Sequence, residues 1–193
     1  MADEEKSLIK RLKRGESGAL RSFYELYYRK VYSVAYRFFG DHHLAEDITQ
    51  DVFLHLFERL ARLRRGARGA QGIKGFRGES KISTYLYRVV TNFCINRAKI
   101  RAAHLSLEQI PEIKAGKEMV SVEEEEKKAQ AQQALLGLSE GHRAVLILKA
   151  LEGLTYKEVA EVTGLSQVQV RGRLYRARKA FKRKYDELTR RNR

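Results

Sequence analysis

The sequence predicts an all-α protein: two small helical domains joined by a flexible linker, the second containing a helix-turn-helix. Three observations carry this expectation. Apolar residues recur at helical spacing along almost the whole chain, and no segment alternates as a strand would. Pro111 is the only proline. Two stretches interrupt the helical pattern, and the second divides the chain into residues 1–102, a linker at 103–124, and residues 125–193.

A chain of 193 residues can form one or two domains, and 43% hydrophobic content suits a folded protein. Lys and Arg number 39 against 24 Asp and Glu, a formal charge of +15. Such a surplus sits on the surface and attracts polyanions. No apolar run approaches the roughly 18 residues of a spanning helix, so no membrane insertion is expected. The acidic start, Met1 to Glu5, lacks the order of a signal peptide. Cys94 is the single cysteine, which excludes an intrachain disulfide and a cysteine-based metal cluster. A cytoplasmic location fits these features.

In the first domain, residues 41–60 read as a long helix. Winding at about 100° per residue gathers Leu44, Ile48, Val52, Phe53, Leu56, Phe57 and Leu60 on one face. The other face carries Asp47, Gln50, Asp51, Leu54 and Glu58, an acidic stripe in a basic protein. Acid repels DNA. An apolar residue among acids suits a basic protein partner, although a solvated face with a stray leucine gives the same pattern. Glycine then occupies positions 66, 69, 72, 75 and 78; without proline this cannot form a triple helix and reads as a flexible basic loop.

Residues 83–100 read as the next helix, with Ile82, Leu86, Val89, Val90, Phe93 and Ala98 as core contacts. Arg88, Asn92, Asn96 and Lys99 form a separate stripe, with Tyr85 and Tyr87 near the helix start. Cations track phosphates, rings stack on bases and amides read base edges, so this set suits single-stranded DNA. The tyrosines equally suit a core.

In the second domain, the acidic run 123–126 opens a helix, where the positive end of the helix dipole favours it. Thr155-Tyr156-Lys157-Glu158 has the form of a capping box and starts a helix through Val159 and Ala160 to Thr163. Gly164 allows a sharp turn, and Ser166-Gln167-Val168-Gln169 is a second capping box. Val170, Leu174, Ala177 and Phe181 make the core stripe of the second helix. Gln167, Val168, Arg171, Gly172 and Tyr175 lie elsewhere, with Arg173, Arg176, Arg178 and Lys179. In a helix-turn-helix the start of the second helix meets base edges in the major groove, and later arginines hold phosphates. Gly172 costs about 1 kcal/mol of helix stability relative to Ala. The basic tail 182–193 is expected to fray.

Asp41-His42-His43 with Glu46 and Asp47 is not expected to bind metal, because adjacent histidines diverge on a helix and Asp41 suits an N-cap. There is no Walker-type loop and no paired nucleophile and base, so no enzymatic activity and no cofactor is expected.

Four segments together resemble the sigma factors of bacterial RNA polymerase, in particular the extracytoplasmic-function (ECF) group of the sigma-70 family. They are Ala45 to Phe53; Phe76 to Ser80 with Ser83 to Arg88 and Asn92; Glu152 to Ala160; and Val170 to Lys179. The resemblance implies a factor that binds core polymerase, directs it to promoters and promotes DNA opening for transcription initiation. It implies that Asp47, Gln50, Asp51, Leu54 and Glu58 dock on the beta-prime clamp helices, with the beta flap a further polymerase contact. It places Phe76, Arg77, Lys81, Ser83, Thr84, Tyr85, Tyr87, Arg88, Asn92, Asn96 and Lys99 at the minus-ten element, where a flipped base is captured. It places Thr155, Ser166, Gln167, Val168, Arg171, Gly172, Arg173, Tyr175, Arg176, Arg178 and Lys179 at the minus-thirty-five element. An anti-sigma factor is an implied partner.

The chain departs from the pattern in places. The glycine-rich stretch before Phe76 looks like an insertion. Tyr85 stands where tryptophan is frequent, and Gly172 where a small polar residue is usual. No proline precedes the helix near Arg143. A linker of roughly 20 residues spans at most about 65 Å, nearly two DNA turns of ~35 Å each. A stand-alone helix-turn-helix regulator would not need the acidic stripe or the aromatic-basic helix. A nucleic-acid enzyme would need metal carboxylates or a nucleophile. An adaptor that binds polymerase without reading DNA would not need the basic second helix.

Overall fold

The computed structural model describes residues 2–64, 82–104 and 122–191. All regular elements there are helical: α1 (Ala2–Arg14), α2 (Ala19–Phe39), α3 (His42–Arg64), α4 (Ile82–His104), α5 (Val122–Leu136), α6 (Glu140–Leu146) running into a π-helical turn (Ile147–Leu151), α7 (Tyr156–Thr163) and α8 (Gln167–Arg191). The glycine-rich stretch and most of the expected linker lie outside the described residues. α4 and α5 each extend slightly into the 103–124 segment.

Local chemistry sets the helix ends. α2 ends at Gly40, whose φ of 67° is left-handed and whose N–H donates to the Tyr36 carbonyl at 2.7 Å. The next residue, Asp41, caps α3: its Oδ1 accepts from the Leu44 N–H at 3.0 Å. Both glycine and cap are needed because two long helices reverse direction within two residues.

Two apolar clusters form. In the first, Phe23, Tyr27, Val31 and Phe38 of α2 meet Ile48, Val52 and Phe53 of α3 and Leu86, Val90 and Cys94 of α4. In the second, Val145 and Leu148 meet Val159, Val162, Val170 and Leu174. Burial pushes the Cys94 thiol up, so it stays protonated and serves as packing.

The clusters adjoin. Ala144 and Ile147 of the second half pack into the first cluster, and Tyr87 touches both. Arg143 is buried between them. Its guanidinium donates to the carbonyls of Leu135, Leu138 and Phe38 at 3.0, 2.9 and 2.8 Å, and to that of Leu136. These carbonyls lie at or just beyond the C-terminal ends of α2 and α5, where no intrahelical donor remains. The cation thus faces two negative helix ends and lies 5.0 Å from the centre of the Phe38 ring. Burial lowers its pKa, but a guanidinium keeps its proton.

The tail differs from expectation. α8 stays helical to Arg191. Phe181 stacks on Tyr185, and the Thr189 hydroxyl reaches Gln130 Oε1 of α5 at 3.3 Å. Packing against α5 supplies the contacts that a lone basic tail would lack.

Candidate polymerase and nucleic-acid interfaces

The acidic stripe lies on the outer face of α3. Asp47, Gln50, Asp51, Leu54 and Glu58 are all exposed, and Leu54 leaves 60% of its surface open. Among the described residues Glu58 makes only a long pair with Arg62 at 3.8 Å. The opposite face is the core, so the helix divides as its apolar pattern predicts.

The α4 residues fare differently from one another. Asn92, Asn96 and Lys99 are exposed, Ser83 is partly exposed and Thr84 is buried. Tyr85, expected as a stacking ring, is 7% exposed and belongs to the core. The first turn of α4 faces inward because Ile82, Leu86 and Val89 anchor it there. Tyr87 donates its hydroxyl proton to Glu152 Oε2 at 2.9 Å. Burial, and then the Glu152 charge, push its pKa well up. Arg88 donates through Nε and Nη2 to the Glu161 carbonyl of α7, at 3.0 and 2.6 Å. Phe76, Arg77 and Lys81 lie outside the described residues.

An open groove of about 500 Å³ runs between α3 and α4. Ile48, Tyr85, Val89 and Phe93 contribute apolar surface to it; Arg88, Asn92 and Asn96 line the α4 side. The α3 side carries Asp51, His55 and Arg59. Sequence reading did not single out His55 or Arg59, although their spacing from Asp51, four and eight residues on, puts them on one helix edge. His55 meets Phe93 edge-on at 5.6 Å.

The helix-turn-helix forms as its caps require. Thr155 accepts from the Glu158 N–H at 3.2 Å, and the Glu158 carboxylate accepts from the Thr155 N–H at 2.9 Å. Ser166 and Gln169 repeat the exchange at 3.2 and 2.8 Å. Between them Gly164 has φ 71°. Val170, Leu174 and Ala177 are buried, and Phe181 is half-buried.

Ser166, Gln167, Arg171, Arg176, Arg178 and Lys179 are exposed, as is Thr155. Val168 and Tyr175 are 77% and 63% exposed. Arg171 lies 5.4 Å from the Tyr156 ring centre, and Lys179 the same distance from Tyr175. Arg173 turns toward α6, where a side chain at Gly141 would meet its guanidinium at 3.1 Å. A Cβ at Gly172 would meet only Arg176, at 4.0 Å, so nothing in the fold requires glycine there.

The halves are joined by polar contacts that no local pattern announces. The Glu152 carboxylate, at the end of the π-helical turn, accepts from Arg37, from the Ser33 hydroxyl at 3.4 Å and from Tyr87. Gln132 donates to the Arg37 carbonyl at 3.1 Å. Tyr87 and Arg88, both expected at the minus-ten element, therefore serve as internal contacts in this arrangement.

Comparison with known proteins bears on both halves. A family model for sigma-70 region 2 matches residues 23–69, and one for sigma-70 region 4 matches residues 128–181, together just over half of the chain. The ECF RNA polymerase sigma factor SigW of Bacillus subtilis is 28% identical, with 95% of this chain and 97% of SigW covered. The RNA polymerase sigma-H factor of Pseudomonas aeruginosa is 26% identical, with 97% of each covered. Among solved structures, CnrH in complex with the cytosolic domain of CnrY shares the fold at TM-score 0.66 and 22% identity, over 95% of this chain and 97% of CnrH. The sigma factor RpoE of Bartonella quintana, in complex with the anti-sigma factor NepR, does so at TM-score 0.62 and 18% identity, over 88% and 98%. With two sigma-70 regions matched in order on an all-helical fold that ends in a capped helix-turn-helix, the chain belongs to the ECF group of the sigma-70 family and directs RNA polymerase to promoters.

Proposed function

We propose that this sigma factor docks on core polymerase through α3 and reads the minus-thirty-five element through α8. We further propose that it opens the minus-ten element at the α3–α4 groove and acts without catalysis of its own, in the cytoplasm. The observation that carries this reading is the separation of charge. Asp47, Gln50, Asp51, Leu54 and Glu58 form an exposed acidic stripe on a protein of net charge +15. Such a stripe would weaken DNA binding, so it belongs to a protein contact, and the beta-prime clamp helices are the partner we assign to it.

At the minus-ten element, Asn92, Asn96 and Lys99 offer amides and a cation beside the groove. Ser83, Thr84, Phe76, Arg77 and Lys81 are assigned to the same element on the resemblance alone. Tyr85 supports the groove from within rather than stacking on a base. At the minus-thirty-five element, Gln167, Val168, Arg171 and Tyr175 are the candidates for base contact. Arg176, Arg178 and Lys179 are the candidates for phosphate contact. The beta flap and an anti-sigma factor complete the proposed partners. The solved neighbour in complex with the anti-sigma factor NepR favours the last.

Titration of core polymerase with the Asp51→Lys variant tests the docking assignment. A charge reversal on an exposed helix position should leave the helical circular dichroism intact and weaken binding by about tenfold, roughly 1.4 kcal/mol. Unchanged affinity would remove α3 from the polymerase interface.

A further inference from the structure

The α3 edge of the groove is absent from the site assigned above, yet it faces Asn92 across the same opening. His55 sits there half-buried, its ring against Phe93. Neither ring nitrogen makes a hydrogen bond among the described residues. Burial and the neighbouring Arg59 lower the His55 pKa, against the pull of Glu58, so the imidazole is neutral at neutral pH. A neutral imidazole offers one donor and one acceptor, the complement a base edge requires.

Arg59 lies one turn further along α3. It makes no ion pair among the described residues, and it borders the same groove near Tyr85, as Arg88 does. Arg88 is held by Glu161, whereas Arg59 is not. The α3 side of the groove thus carries the carboxylate of Asp51, the imidazole of His55 and the cation of Arg59, against Asn92 and the apolar Val89 and Phe93 of α4. On this edge the phosphate of one unstacked nucleotide would lie at Arg59, away from Asp51, with its base edge at the imidazole and amide and its face against the apolar residues.

We propose that His55 is a base-specificity residue of this groove, reading the captured minus-ten base from the α3 side opposite Asn92, with Arg59 holding that nucleotide's phosphate. The inference rests on the assignment of the groove to the minus-ten element. One hydrogen bond of this kind sets a preference of about 2- to 10-fold.

The test uses holoenzyme assembled from core polymerase and full-length chain. The probe is a pool of forked promoter fragments whose unpaired minus-ten strand carries every base at every position; retained DNA is sequenced. Wild type should prefer one base at one unpaired position. His55→Ala should flatten that preference by about 2- to 10-fold while retaining the preferences elsewhere and the wild-type affinity for core. His55→Gln, which keeps a donor and an acceptor, should restore or redirect the preference. Arg59→Ala should lower retention equally for all bases.

If His55→Ala and His55→Gln both give the wild-type profile while Asn92→Ala loses it, His55 is no reader, and the groove assignment stands. If Asn92→Ala also keeps the wild-type profile, the groove does not hold the minus-ten base and both readings fall.

Discussion

Arg143 shows most clearly how a single side chain holds this molecule together. Among the described residues it has no carboxylate partner in hydrogen-bond contact; it is held by carbonyls at the ends of α2 and α5 and at the turn that follows. Removing it takes the guanidinium donor from the Phe38, Leu136 and Leu138 carbonyls, whereas the Leu135 carbonyl keeps the Leu138 N–H. Arg143→Ala should therefore lower stability by about 3 kcal/mol, read by urea unfolding. A loss below about 0.5 kcal/mol, the range of an ordinary surface change, would mean that water replaces the guanidinium freely. No sequence signal marked this residue. In the chain it is one of many arginines, and its partner Phe38 lies 105 positions away. Contrast Asp41, Gly164 and the two capping boxes. Each acts on neighbours within four residues, so each was legible from the sequence alone. Tyr85 lies between these cases. Its ring chemistry was legible, but only packing decided that it faces the core.

At the scale of the element, the proposed reading divides the exposed side of α8 between base and phosphate contacts. Arg171 lies in its second turn, close enough to the start to reach base edges, whereas Arg176 and Arg178 lie beyond. Arg171→Ala should cost about 1–3 kcal/mol on the cognate minus-thirty-five sequence and much less on scrambled DNA. Measured with holoenzyme, an equal loss on both would move Arg171 to the phosphate group. The helical period separated the core side of this helix from its open side correctly, because Val170, Leu174 and Ala177 follow it without interruption. The same holds for α3. The polar edge of the groove was harder to see. His55 and Arg59 sit between the acidic stripe and the core, where a period of 3.6 assigns neither face clearly.

At the scale of the whole molecule, the break in helical patterning gave no sign of the contact between the two apolar clusters. Glu152 is the centre of that contact and joins residues 115 and 65 positions away. Arg88 adds a further contact between the halves, donating to the Glu161 carbonyl of α7. Glu152→Ala removes the acceptor shared by Arg37, Ser33 and Tyr87. It should weaken the association of the halves by about 2 kcal/mol and widen the distance distribution between spin labels at exposed sites on α2 and α8. An unchanged distribution would show that apolar packing around Ile147 and Ala144 suffices.

Run-off transcription from promoter DNA with purified core polymerase, with and without this chain, tests the central claim most directly. The account predicts transcripts from a defined start only when the chain is present, and little specific DNA binding by the chain alone in a parallel gel shift. Tight specific binding by the chain alone, with no transcript from core polymerase, would contradict it and make the protein a stand-alone regulator.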